Sequence, residues 1–135
     1  EPRVAAVAAF ALGSIGPSVA SSAMVPLRKS LESSDPVVRV ASAWALVHIS
    51  AKPEQVASLT IPILVQGLKS EAPAVRRGSA EALGRLGKLA RTAAEAALRA
   101  AAKDSDETVR HAALRALESM GAVVDAPTAQ PVKKK

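Results

Sequence analysis

Histidine is the residue type in this sequence best suited to catalysis or metal binding, and the chain has two, His48 and His111. Neither is followed by glutamate, and they stand at non-equivalent positions, so they do not form the recurring pairs of a metal site. The chain has no cysteine, which excludes thiolate chemistry and disulfides. Serine–histidine–aspartate arrangements and nucleotide-binding glycine loops are also absent from the sequence. We therefore expect no catalysis, no cofactor, no bound metal, no small-molecule substrate, and two solvent-exposed histidines.

The charge of the chain keeps nucleic acid open as a partner. The formal net charge is +6 and the sequence pI is about 10.2, values that raise the prospect of binding to phosphate backbones. Many basic residues, however, alternate with acids, which is typical of an ordinary solvated helix face and not of a phosphate-binding row. The residues concerned are Arg77, Arg85, Arg115, Glu81 and Glu118. Nucleic-acid binding is therefore the alternative function, and a protein or peptide partner is preferred.

One segment recurs four times: EPRVAAVAAFALGSI from Glu1, DPVVRVASAWALVHI from Asp35, APAVRRGSAEALGRL from Ala72 and DETVRHAALRALESM from Asp106. The spacing of its apolar positions keeps them on one side of a helix. No single copy can bury this side alone, so the copies are expected to stack into one continuous core. The core residues predicted for the second copy are Val38, Ala41, Ala45, Leu46 and Ile49, and their equivalents are expected to be buried in the other copies.

Another apolar helix precedes each copy after the first: SSAMVPLRKSLES, ASLTIPILVQGLKS and TAAEAALRAAAKD. The sequence thus predicts an all-α chain of seven helices, at 2–15, 19–33, 36–50, 54–70, 73–87, 91–103 and 106–120. Alanine, valine and leucine supply most of the apolar content, which suits helices packed in thin layers. Residues 122–135 hold two prolines and three terminal lysines without apolar periodicity, so we expect a disordered tail. No apolar run approaches the roughly 18 residues of a membrane span, and the cytoplasm is slightly favoured as the compartment.

The repeat resembles a known family. A two-helix unit whose second helix opens with the pattern D-P-x-V-R-x-x-A-x-x-A-L resembles the HEAT repeat. The alanine-rich form resembles the short bacterial type that also occurs in phycobilisome lyases. The resemblance covers residues 1–121 and implies a right-handed α-solenoid of stacked antiparallel helix pairs. We expect this array to begin inside a repeat, as a fragment of a longer one.

The resemblance also implies a ladder of hydrogen bonds between repeats, made by an aspartate of the turn and an arginine early in the second helix. The matching residues are Asp35, Arg39, Arg76, Asp106 and Arg110. The first copy has Ala5 in place of the arginine, and the third has Ala72 in place of the acid. We therefore expect an incomplete ladder with a structural role.

The expected partner-binding surface is the side of the second helices opposite the core, which a HEAT array lines up along its concave face. At about 100° per residue, Val40, Trp44 and Val47 point away from the core direction. Phe10 would lie beside Trp44, and exposed aromatics bounded by charge often mark interaction sites. The predicted partner-binding residues are Phe10, Val40, Trp44, Val47, Arg77, Glu81, Arg115 and Glu118.

Two further expectations concern this surface. Replacing Trp44 by alanine should weaken partner binding and barely change thermal stability, because the core columns are filled without it. A covering segment of the same protein is the alternative explanation for the aromatic patch.

Overall fold

The structure, a computed structural model, describes residues 1–124, and these residues are helical without any strand. Seven α-helices form this part of the chain: α1 (Pro2–Ile15), α2 (Ala20–Ser30), α3 (Pro36–Ile49), α4 (Ala57–Gly67), α5 (Pro73–Leu86), α6 (Arg91–Ala101) and α7 (Glu107–Ser119). Short 3₁₀ turns precede α2, α4 and α6, at Pro17–Val19, Pro53–Gln55 and Gly87–Ala90. The all-α prediction is confirmed, and the predicted helix ends agree to within three residues. The handedness of the superhelix stays a prediction.

The helices form two layers. The second helices α1, α3, α5 and α7 pack side by side in chain order, and the first helices α2, α4 and α6 pack against them. Each internal second helix therefore touches a helix on either side as well as the layer of first helices. This arrangement lets alanine-rich helices bury most of their surface without large side chains.

Local signals in the sequence set where the second helices begin. The Asp35 carboxylate accepts hydrogen bonds from the backbone N–H groups of Val37 and Val38, at 2.8 and 3.2 Å. Asp106 caps α7 in the same way. Ala72 has no capping side chain, and α5 instead begins with Pro73, whose fixed backbone angle suits the first helical position. The predicted start signals thus act as N-terminal caps or as first-turn prolines.

The predicted core is confirmed in the second, third and fourth copies. Ala41, Ala45, Leu46 and Ile49 are fully buried, and so are Leu83 and Val109 at equivalent positions. The prediction is wrong for most of the first copy, because Leu12 of α1 is partly buried but Val4, Val7 and Ile15 are exposed. Their exposed fractions are 64% for Val4, 68% for Val7 and 59% for Ile15. Among residues 1–124, no first helix is paired with α1, so the side that its counterparts bury against a first helix is left exposed there.

The array continues slightly past α7. Ala122 is buried, and the backbone carbonyl of Val123 accepts a hydrogen bond of 3.1 Å from Arg99 of α6. The disordered tail predicted for 122–135 otherwise lies outside the described residues. Within residues 1–124, no single helix has the length and apolar character to cross a bilayer. By length and composition only the pair Pro2–Ile15 with Pro17–Ser30 qualifies, and it is bent by 112°.

Candidate partner-binding surface

The solvent-facing side of α1, α3, α5 and α7, which we call the second-helix surface, brings an aromatic cluster next to charged residues. The Phe10 and Trp44 rings lie 5.2 Å apart between centroids, tilted by 56°. The His48 ring stacks on Trp44, with 3.9 Å between the ring centroids. Charged side chains of α5 and α7 continue this surface beyond His48, so it changes from aromatic to charged along the array.

Trp44 is partly buried because neighbouring helices leave room for its ring. A side-chain carbon added at Gly13 of α1 would lie 2.3 Å from Trp44 Cζ3, and one added at Gly78 of α5 would lie 3.7 Å from Trp44 Cδ1. The indole therefore bridges α1, α3 and α5 over two glycines. Its Nε1 is buried and has no hydrogen-bond partner among residues 1–124. Because the ring also packs the array, we now expect Trp44→Ala to lower thermal stability, contrary to the sequence-based expectation.

Val40 and Val47 do not belong to the exposed surface, so their predicted orientation is wrong. They are 6% and 0% exposed, and Val40 Cγ2 lies 3.1 Å from the position of a side-chain carbon at Gly67 of α4. The error came from assigning α3 a single core direction. An internal helix of the array is covered on three sides, and a helix that is apolar all round is normally buried. That composition was visible in VVRVASAWALVHI and could have signalled the burial.

His48 was expected to be solvated, and the structure places it in the aromatic cluster instead. Its Nδ1 donates to the backbone carbonyl of Trp44 at 2.8 Å, and the ring is partly buried. Burial lowers the pKa of His48; the hydrogen bond to Trp44 and the charge of Glu81 oppose this shift, while the charge of Arg85 adds to it. Its position four residues after Trp44, one helical turn away, was the signal that could have indicated the stack.

The charged end of the second-helix surface forms a groove of about 450 Å³ between α5 and α7. The groove is lined by the predicted residues Glu81 and Arg115. Arg85 and His111 line it too, although the prediction did not include them. Arg77 Nε lies 3.5 Å from Glu81 Oε1, and both side chains are about half exposed. An exposed pair of this kind stabilises the fold by only about 0–1 kcal/mol. Because both side chains are half exposed, their charges are accessible to a partner. Glu118 is also exposed on α7.

The three ladder arginines share one contact. Nη1 of each donates to two successive backbone carbonyls in the turn before its own helix, those of Ser33 and Ser34 for Arg39. Among residues 1–124, a carboxylate of the next repeat reaches only Arg76, and it belongs to Asp104, two residues before the expected Asp106. The expected Asp35 and Asp106 cap helices instead. Asp104 accepts from both Nε and Nη2 of Arg76, and these bonds hold its pKa below the usual value.

Metal binding finds no support in this arrangement. Within residues 1–124, no group of three or more histidine, aspartate or glutamate side chains is placed to hold a metal ion.

Comparison with known protein families identifies the repeat. The family model described as HEAT repeats matches residues 61–132, which is more than half of the chain. The chain belongs to the HEAT-repeat family. HEAT repeats generally serve as protein-interaction scaffolds, and the family is typically non-catalytic. No curated protein matches the chain.

Proposed function

We propose that this HEAT-repeat array is a non-catalytic module that binds a protein or peptide segment on its second-helix surface. The aromatic cluster of Phe10, Trp44 and His48 would take an apolar side chain of the partner. The groove between α5 and α7 would orient the partner through Glu81 and Arg115. We expect this surface to be the concave side of the superhelix.

The aromatic cluster is the observation that carries the proposal. The chain has one tryptophan and one phenylalanine, and both lie partly exposed at the same place on neighbouring second helices. Trp44 packs over Gly13 and Gly78 and stacks on the ring of His48. A partly exposed tryptophan that lies between an aromatic neighbour and a charged region has the properties of an interface hot spot.

The pairing of arginines with acids favours a protein partner over nucleic acid. Arg77 pairs with Glu81, and Glu95 accepts from both Arg91 and Arg99. Binding to a phosphate backbone gains affinity when unpaired lysines and arginines displace counterions. Cations already matched by neighbouring carboxylates contribute less to that effect, so the formal charge of +6 overstates the attraction for phosphate.

A peptide selection on the full chain tests the proposal. Peptides from a random display library are selected for binding, and the affinity of the best one is measured by calorimetry. Trp44→Ala is expected to weaken binding by about 2 kcal/mol or more, as hot-spot residues do. Circular dichroism at the same temperature confirms that the variant is folded. Arg115→Glu, at an exposed position, is expected to weaken binding without loss of stability.

The matched control is Val25→Ala, which removes an apolar side chain that is 76% exposed on the first helix α2. This control should bind as the unchanged chain does. Equal losses in Val25→Ala and Trp44→Ala would contradict the proposed surface. Tight binding of an arbitrary DNA duplex, falling steeply with salt and unaffected by Trp44→Ala, would instead establish the nucleic-acid alternative.

A further inference from the structure

The bidentate pair between Arg76 and Asp104 shows what the ladder position can bind. Arg76 uses Nη1 for the carbonyls of Ser70 and Glu71. The other edge of its guanidinium, Nε and Nη2, holds the two carboxylate oxygens of Asp104 at 2.8 and 2.9 Å. This parallel arrangement is the strongest form of arginine–carboxylate recognition. One edge of the arginine is thus structural, and the other edge is a carboxylate-binding site.

Arg39 has the same structural contact but lacks the carboxylate. Its Nη1 is bonded to two carbonyls, whereas Nε and Nη2 have no acceptor among residues 1–124. The reason is that Ser70 occupies the turn position that Asp104 occupies one repeat later. The Ser70 carbonyl accepts from Arg76 as the Asp104 carbonyl accepts from Arg110. Both side chains also accept from the backbone N–H two residues on. Serine at this position has a hydroxyl group and no carboxylate to offer Arg39.

A groove of about 810 Å³ lies where the missing carboxylate would be. Arg39 and Ser70 both line it, at the edge where α3, the end of α4 and the start of α5 meet. Most of its wall is apolar, formed by residues such as Val37, Ile63 and Val75, and the charged residues Lys69 and Glu71 line it beside Arg39. The site therefore combines a guanidinium edge with an apolar wall, and a ligand with only one of these two characters would leave part of it unmatched.

We propose that this groove binds an aspartate-containing segment of a partner protein, with the aspartate on Arg39 and flanking apolar side chains on the wall. The carboxylate takes the place on Arg39 that Asp104 takes on Arg76. Two observations favour this occupant: the positive charge of Arg39 attracts a carboxylate, and in the next repeat Arg76 already binds the carboxylate of Asp104 in the same way. The site lies on the edge of the array formed by the turns, so it is separate from the second-helix surface and does not depend on its proposed function.

Two capped peptides test the proposal on the full chain: one with a central aspartate between leucines, and the same peptide with asparagine. Binding is followed by chemical shifts of the groove residues in NMR spectra. The aspartate peptide is expected to bind at least about tenfold more tightly than the asparagine peptide, since hydrogen bonds to charged groups contribute about 1.5–3 kcal/mol. Equal affinities, or no binding of the aspartate peptide, would overturn the proposal.

Ser70→Asp is the decisive variant because it is expected to fill the site from within. It should raise the melting temperature and weaken the aspartate peptide at least about tenfold, since the new carboxylate would occupy Arg39. Arg39→Lys should weaken the same peptide about tenfold, because lysine cannot form the bidentate pair. Arg110→Lys is the matched control: it alters the same carbonyl contacts away from the groove and should leave binding unchanged.

Two outcomes with these variants, and one with the free unchanged protein, would contradict the proposal. Ser70→Asp could bind the aspartate peptide as tightly as the unchanged chain does, or Arg110→Lys could lose as much affinity as Arg39→Lys. Contacts between residues 125–135 and Val37 in the NMR spectra of the free protein would show that the chain itself occupies the groove.

Discussion

The close approach of α1 to α3 depends on the absence of a side chain at Gly13, and Gly13→Ala tests this directly. A carbon added there would lie 2.3 Å from Trp44 Cζ3 and 2.9 Å from the Cα of Ala45. The indole could rotate to avoid the first contact, at the cost of its stack with His48. The second contact is with backbone, so the helices themselves must separate.

The magnitude follows from two opposing effects. Overpacking of a well-packed site costs about 1–3 kcal/mol, whereas alanine in place of glycine inside a helix stabilises by up to about 1 kcal/mol. Gly78→Ala is the matched control, because its added carbon would meet Trp44 at 3.7 Å, an ordinary contact distance. We expect Gly78→Ala to be neutral or stabilising and Gly13→Ala to be less stable than this control by about 1–3 kcal/mol. At roughly 4 °C per kcal/mol for a chain of this size, the two melting temperatures should differ by about 4–12 °C.

Thermal unfolding of both variants is best followed by fluorescence, because the chain has a single tryptophan and that residue lies at the contact in question. Circular dichroism in parallel reports whether the rest of the array stays helical, as a repeat protein with mainly nearest-neighbour contacts allows. Gly13→Ala is expected to alter the emission of Trp44 even below the unfolding transition. Equal melting temperatures and unchanged emission in the two variants would refute the packing described for α1 and α3.

Three further predictions concern the core and the titratable groups. Leu83→Ala should cost about 2–5 kcal/mol in denaturant unfolding, because Leu83 is fully buried and leaves a cavity; a loss below about 0.5 kcal/mol would contradict its burial. Asp104→Asn should lower the urea midpoint at neutral pH. Arg76 lowers the pKa of Asp104 in the folded protein. The charged Asp104 therefore stabilises the fold above its unfolded-state pKa, and this stabilisation is lost as the pH falls through its folded-state pKa. The urea midpoints of the variant and the unchanged protein should therefore converge in acid. Burial lowers the pKa of His48 from its ordinary value of 6.5, so the fluorescence of Trp44 should change with a midpoint below pH 6.5. Stability should fall as the pH drops below 6.5, because the unfolded chain takes up this proton more readily than the folded one. A fluorescence midpoint at or above pH 6.5 would contradict the burial of this ring.

The repeat pattern was sufficient to predict the helices and most of the core. Columns such as Leu46 and Leu83 recur in phase, and such positions must be buried if the copies stack. The exposure of Val4 in α1 could not follow from its column, because burial there depends on a preceding helix and not on the residue itself. The column argument alone thus predicts burial only where both neighbours of a helix are present.

The surface was harder to predict than the core. Helix periodicity places Trp44 on the outer side of α3, but it treats Val40 in the same way although α4 covers that residue. The inter-repeat partner of Arg76 was also missed, because Asp104 lies two residues before the aspartate that the family pattern emphasises. Both errors concern which neighbouring helix lies opposite a side chain, and that depends on the packing of the whole array.

Amide hydrogen exchange with and without a selected partner peptide tests the proposed function most directly. If the second-helix surface binds the partner, the peptide should slow exchange in α3, α5 and α7 around Trp44, Glu81 and Arg115, while α2 and α6 should exchange at unchanged rates. Protection confined to the first helices, or spread equally over both layers, would contradict the assignment of the binding site to the second-helix surface.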